Sequence, residues 1–222
     1  MNRLASSFFI SLILCLLTGC SSIGIRRPGL VGASYHPKNI FSQSERLPDG
    51  IRRVAVLPLA YDSQHGDVEA GAAELKHVLE TELRKAQRFE LTIISPEQCK
   101  LWTGRPNWSA KEKLPPDFFT RLNEHLGCDA VLFVELSDYR AYPPLTVGWD
   151  LRLVDVNART IIWAADEIFD AADPAVATGA RRYQLSREHF NPILVDSRQA
   201  LISTRCFGEY TVETLIATLP AR

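Results

Sequence analysis

The chain has 222 residues, 46% of them hydrophobic and 23% charged, which suffices for one compact domain with tails and falls short of two full domains. Its 25 basic and 26 acidic residues leave a formal charge of -1. With no basic excess to hold a phosphate backbone, nucleic acid is excluded as a partner.

Residues 1–19 read as a targeting segment that stands apart from the fold. Asn2-Arg3 gives a short positive start, and Phe8 to Leu17 is apolar except for Ser11. A stretch of about ten residues rising 1.5 Å each cannot cross ~30 Å of hydrocarbon, so it is a signal peptide and not a span. Leu17-Thr18-Gly19-Cys20 comes next and resembles the bacterial lipoprotein box. That resemblance implies cleavage between Gly19 and Cys20, a diacylglycerol on the Cys20 thiol and acylation of the new amine. The small residues at 18 and 19 suit peptidase subsites that admit a backbone closely. Beyond this covalent lipid no cofactor is expected. Ser21, where inner-membrane lipoproteins of this kind carry Asp, implies sorting to the outer membrane with the body facing the periplasm. Acyl chains at ~0.8 kcal/mol per buried methylene anchor such a protein to the bilayer without a spanning segment.

Residues 20–50, which start at the acylated cysteine, carry Gly24, Pro28, Gly29, Gly32, Pro37, Pro48 and Gly50 with no period of 2 or 3.6. They predict a flexible tether reaching on the order of 30 Å from the membrane.

The folded body begins at Ile51. Val54-Ala55-Val56-Leu57 predicts a first strand, which Pro58 ends on one side. Asp62 to Asp67 is a polar loop, after which Val68, Ala72, Leu75, Leu79 and Leu83 form one stripe of a helix. Phe89 to Ile94 predicts a short strand and Pro96 to Trp102 one or two helical turns. Thr103 to Lys113 is polar and aperiodic. As a loop it is a candidate contact surface, with Trp102 and Trp108 as candidate partner-contact residues. The commoner alternative has both rings folded back onto the domain edge. Leu114 to Leu126 predicts a helix that Gly127 ends.

Ala130-Val131-Leu132-Phe133-Val134 is continuously apolar, as a strand covered on both faces requires, and is the candidate central strand. Past Pro143-Pro144, Leu145, Val147, Trp149, Leu151 and Leu153 alternate with Thr146, Gly148, Asp150 and Arg152, predicting one buried and one wet face. A turn at residues 155–159 returns the chain as a strand from Thr160 to Phe169, with Ile161, Trp163, Ala165 and Phe169 on one side. A short helix runs from Asp173 through Tyr183, then irregular chain from Leu185 to Ser203, then a final helix from Thr204 to Leu219.

Chemistry-bearing motifs are sparse. Cys15 leaves with the signal, so Cys99, Cys128 and Cys206 remain; an oxidising periplasm permits one disulfide among them, but if the strands beside Cys99 and Cys128 are parallel those two sit at opposite rims, which favours buried or edge thiols. No metal-ligand spacing links them or the scattered histidines, and no nucleophile elbow, phosphate loop or dinucleotide fingerprint occurs. Asp166, Glu167 and Asp170 form an acidic cluster that reads either as a solvated rim or as the acid of an envelope-polymer hydrolase.

The segments Arg53-Val54-Ala55-Val56-Leu57-Pro58, Gly127-Cys128-Asp129-Ala130-Val131-Leu132 and Leu151-Arg152-Leu153-Val154-Asp155 with Thr160-Ile161-Ile162-Trp163 carry a resemblance. Over residues 51–170 the chain is similar to the small α/β domain of the curli-secretion-channel lipoprotein, the amino-terminal domain of the Tol-Pal translocation protein and the lipoprotein activators of penicillin-binding proteins. The resemblance implies a protein-binding domain without catalytic residues. A curli-type pore needs additional membrane strands of ~9–11 residues, and the sequence offers no spare pair. The expectation is an α/β (α+β) fold with a mixed sheet of about five strands in the order β-α-β-α-β-β-β, helices on one or both faces, and residues 171–222 as a helical extension packed on the core. Its partners are the bilayer, unidentified envelope proteins and, as a third reading, further copies of itself.

Overall fold

The computed structural model describes residues 32–33, 35–61, 68–187 and 197–222. Gly19, Cys20 and the start of the tether lie outside the described residues, as do the loop at 62–67 and residues 188–196. In chain order the elements are β1 (Ile40–Ser42), β2 (Arg53–Val56), β3 (Ala60–Tyr61), α1 (Val68–Ala86), β4 (Glu90–Ile93), α2 (Pro96–Thr103), α3 (Phe118–Leu126), β5 (Ala130–Arg140), β6 (Thr146–Asp155), β7 (Ile161–Asp170), α4 (Pro174–Arg187), a 3-10 turn (Ser197–Leu201) and α5 (Thr204–Ile216).

The strands form one mixed sheet in the order β1-β7-β6-β5-β2-β4, and β3 pairs with β5 beyond the end of β2. β4, β2, β3 and β5 run parallel, while β5, β6, β7 and β1 are antiparallel. This is two strands more than the five expected. β3 has only two residues, too few to show a period. β1 lies in what the sequence presents as tether, and its three residues turn only Ile40 inward. The flexible-tether expectation is therefore corrected from residue 35 onward: Tyr35 packs edge-on against Phe169, and Asp166 N donates to Asn39 O at 3.1 Å.

β5 is the central strand, and its continuous apolar run has the anticipated cause. Ala130, Leu132 and Val134 belong to the core under α1, α4 and α5, whereas Val131 and Phe133 belong to a second core under α2 and α3. Burying each such side chain contributes roughly 1.5–3 kcal/mol relative to leaving it exposed. Asp129 fixes the entry to this strand, its Oδ2 accepting from Arg52 N at 2.9 Å and Arg53 N at 2.8 Å.

Helix ends reflect local chemistry. Ser95 and Gln98 form a reciprocal capping box at the start of α2, Pro96 occupying its first turn, and Gly127 closes α3 in the left-handed region. α4 runs to Arg187, one turn past the expected end at Tyr183. The helical extension packs on the sheet face that α1 covers. Its α5 accepts from the sheet's tryptophans, Trp149 Nε1 donating to Thr211 Oγ1 at 3.0 Å, with Trp163 Nε1 reaching Thr218 Oγ1 at 3.1 Å just beyond the helix.

Two details of the hairpin differ from the alternation rule. A register shift between Leu153 and Val154 brings Ile162 into the core and leaves Ile161 exposed. The face of β6 expected to be wet is largely buried: Thr146, Gly148 and Asp150 are all covered.

Candidate functional site

The covering of β6 comes from charge pairing as much as from packing. Glu135 on β5, Asp150 on β6 and Asp166 on β7 are direct cross-strand partners, so three carboxylates form one row across the sheet face that α2 and α3 only half occupy. Like charges so placed repel each other unless cations intervene. Arg152 supplies two contacts to Asp150, Nε to Oδ1 at 2.9 Å and Nη2 to Oδ2 at 3.0 Å. The chain between α2 and α3 supplies the second cation, Lys111, whose Nζ sits 2.7 Å from Asp150 Oδ2 and 3.8 Å from Asp166 Oδ2. From the same stretch the Ser109 hydroxyl donates to Glu135. Bonding to Asp150 holds the Lys111 ammonium above its ordinary range and raises the Arg152 guanidinium likewise. Asp150 is consequently only 4% exposed although it carries a charge.

The same loop explains both tryptophans. Trp108 is buried, its indole N donating to Thr103 Oγ1 at 2.7 Å and its ring edge-on to Phe118, with Arg105 stacked over it at 4.6 Å. It is thus not an exposed anchor, and a partner-contact role for Trp108 is corrected: a polar loop crossing a sheet face buries its one large ring. Trp102 is half-buried and stacks on His125 at 5.0 Å. Both rings lie back on the domain edge.

The acidic triplet at the end of the return strand is dispersed. Asp166 joins the carboxylate row, whereas Glu167 points through to the opposite face, where Tyr35 donates to it and its Oε2 accepts from Lys38 N and Asn39 N at 2.9 Å each. Asp170 pairs with Arg140 at 3.3 Å. Neighbouring strand residues alternate in direction, so this triplet does not converge on one substrate atom, and the hydrolase reading loses its acid–base pair. Glu135 and Lys111 were missed at the sequence level. Glu135 interrupts an apolar run at a position facing the same side as Asp150, and that was the available signal.

Gly148 lies along β6 beside this row. A Cβ there would meet Ser137 Oγ at 2.7 Å and Asp138 N at 2.8 Å, because the irregularity between Leu136 and Asp138 folds β5 over it. Beyond Gly148 the face opens. Ile168 on β7 is 53% exposed and Phe41 on β1 is 52% exposed, both on the side that carries Asp166. The result is a sheet face with fixed charges and two bare apolar side chains.

No family model matches the chain, and no curated protein matches it. Solved structures do. The PelC dodecamer from Paraburkholderia phytofirmans is 13% identical over 82% of this chain and 96% of that one, with a TM-score of 0.48. The LpoB C-terminal domain from Escherichia coli is 17% identical over 53% of this chain and 81% of that one, with a TM-score of 0.34. TolB from Acinetobacter baumannii is 15% identical over 64% of this chain and 28% of that one, with a TM-score of 0.31.

The other sheet face holds a charged cleft of about 430 Å³ between α1, α4 and α5, lined by Glu82, Lys85, Tyr183, Arg187 and Glu213 among others. Part of its charge is paired: the buried Glu82 takes Lys85 at 2.6 Å and Arg187 at 3.3 Å, and Arg187 also reaches Glu209 at 3.4 Å. This staples three helices together. Burial pushes the Glu213 carboxyl up, with Glu82 beside it adding to the shift. Cys99, Cys128 and Cys206 are free thiols, the first two buried, and burial raises both of those. Among the described residues no group of three or more His, Cys, Asp or Glu side chains is arranged to hold a metal ion.

Proposed function

We infer that this protein is a lipoprotein of the cell envelope, anchored to the outer membrane through acylated Cys20, whose α/β body faces the periplasm and binds other proteins without catalysis. The observation that carries the reading is the open half of the sheet face, where Ile168 and Phe41 stand exposed on either side of Asp166 and the neighbouring Asp150 is already locked in ion pairs. Charges so paired are poor acids and bases, while bare apolar side chains set among fixed polar ones suit a protein interface. The sequence up to Cys20 supports the anchor.

Two experiments test the two halves. Cys20→Ala with subsequent cell fractionation is expected to move the protein from the membrane to the soluble fraction, and unchanged membrane association rejects the anchor. A photocrosslinking residue at position 168 in living cells is expected to capture discrete protein adducts that the same residue at exposed Leu101 does not. Equal patterns from the two positions reject the docking face.

A further inference from the structure

The β5–β6 hairpin ends in Ala141-Tyr142-Pro143-Pro144, an uncharged tip in which Tyr142 is 69% exposed and both prolines are exposed. Hairpin tips are ordinarily polar, and this one also has little backbone polarity left to hydrate. Two of its residues lack an N–H, and Arg140 Nε occupies the Pro144 carbonyl at 2.6 Å. A second uncharged turn stands beside it. The Tyr139 hydroxyl lies 3.1 Å from Thr204 Oγ1, which brings the hairpin next to the start of α5, where Ile202 is exposed. Arg140 and Arg205 flank the pair, each with its guanidinium at the surface and one carboxylate partner, Asp170 and Glu209.

The chain enters the fold at this same end. Ala171 N donates to Leu145 O at 2.8 Å, so the top of β7 adjoins the base of the hairpin tip, and Tyr35 packs on Phe169 there. Arg182, in the second half of α4, holds Gly32 O at 2.6 Å, and Gly32 lies against Thr178 near the middle of that helix. Gly32 comes only 12 residues after Cys20. As a coil such a segment spans on the order of 20 Å, and fully extended no more than about 40 Å. A leash that short, starting from this end, holds this end toward the surface in which the lipid sits.

We propose that the pole formed by the β5–β6 tip and the turn before α5 rests in the bilayer interface, with Tyr142 and Ile202 among the lipid head groups and Arg140 and Arg205 at phosphate level. A tyrosine presents an apolar ring and a hydroxyl that stays hydrated, which is the chemistry of the interfacial belt. In this pose the open face with Ile168 and Phe41 stands sideways to the membrane and remains free for a partner. The inference rests on the lipid-anchor reading and adds an orientation to it.

The test uses the full lipidated chain in vesicles of phosphatidylethanolamine and phosphatidylglycerol. Spin labels are placed one at a time through Tyr142→Cys, Ile202→Cys and Leu101→Cys in a Cys206→Ser background. The chain is expected to float with the vesicles, with labels at 142 and 202 several-fold less accessible to a water-soluble nickel chelate than the label at 101, which is 79% exposed on α2. Flotation with equal accessibility at all three positions overturns the orientation and leaves the anchor standing. Failure to float rejects the anchor, and the orientation falls with it.

Discussion

Asp150 shows how a single side chain decides what a surface can do. It is buried, and it is satisfied by Arg152 and Lys111, one from its own strand and one from a loop far back in the chain. Replacing it with Asn keeps the volume and removes the charge, leaving two cations facing Glu135 and Asp166 with their best partner gone. Breaking a buried pair costs about 3–5 kcal/mol, and because Lys111 is half-exposed and can swing into water, the expected loss for Asp150→Asn is about 2 kcal/mol. Asp166→Asn, at an exposed position with one long contact, should cost less than about 0.5 kcal/mol. Urea unfolding of the two variants checks the contrast, and equal losses would show that the row is not held together through Asp150. Tyr210 makes a prediction in pH. Its hydroxyl is buried with no hydrogen-bond partner among the described residues, and burial pushes its ionisation up to about 12. In the unfolded chain the phenol ionises near ~10, so between those values the folded state retains a proton that the unfolded state has lost. Stability is therefore full below about pH 10 and declines as pH rises toward 12, by ~1.4 kcal/mol per unit for this group. Tyr210→Phe should flatten that decline and cost no more than about 1 kcal/mol at neutral pH, since it deletes an unbonded hydroxyl. Unfolding curves taken across the alkaline range decide it.

At the scale of elements, the crossing of α1 over the end of β5 depends on one missing methyl. A Cβ at Gly71 would lie 2.2 Å from the Tyr139 ring, and that ring is held by Thr204. Helix propensity alone would make Gly71→Ala stabilising by about 0.8–1 kcal/mol. Overpacking against a tethered ring predicts the opposite sign, a loss of about 1–3 kcal/mol. Adding Tyr139→Leu should recover most of it, and a double-mutant cycle measures the coupling; a stabilising Gly71→Ala would place the ring elsewhere in solution. Elements of this kind mark where the sequence could be read and where it could not. The double burial of β5 was legible because its run from Ala130 to Val134 has no polar position, and the Gly127 end of α3 was legible because a glycine cap is local chemistry, whereas its start, expected at Leu114, falls at Phe118. The second face of β6 was not legible. Thr146, Gly148 and Asp150 alternate with apolar residues as a wet face does, but Lys111, placed by the turn geometry of an aperiodic loop, pairs with Asp150, and the irregularity of β5 at Ser137 and Asp138 covers Gly148. Trp108 follows the commoner of its two readings, folded back on the domain, while the slip that exchanges Ile161 for Ile162 is a one-residue change that no periodicity announces. The acidic triplet could be read as a rim but not resolved further, because a strand sends the adjacent Asp166 and Glu167 to opposite faces.

Among the described residues the fold is a sheet with three helices over one face and two over half of the other, and its far edge is closed by chain that reads as tether. β1 pairs with Ala165 to Trp163, Glu167 collects the backbone N–H groups of Lys38 and Asn39, and the next residues run to the far terminus, Ala221 N donating to Glu45 O at 2.9 Å and Leu47 N to Ala221 O at 2.7 Å. Arg222 completes the closure by donating to the carbonyls of Ile51 and Arg88, each at 2.9 Å. A chain starting at Leu47 would retain β2 through α5 and the Arg222 contacts to Ile51 and Arg88, and would lose the closing segment that carries β1, the backbone donors to Glu167 and the Glu45 carbonyl that holds Ala221. Its loss acts in two physically different ways. Phe169 and Ala165 lose the cover of Tyr35 and Ile40, which should lower stability by at least about 2 kcal/mol on apolar area alone. The outer edge of β7 is also left with unpaired N–H and C=O groups along a ten-residue strand, which is a template for pairing with another copy. The truncated chain should therefore unfold at lower urea and scatter light increasingly with concentration, whereas the full chain should not. Were it to remain monodisperse and equally stable, β1 would be an accessory to the sheet, and the leash from Cys20 could lengthen by about fifteen residues, from Gly32 to Leu47.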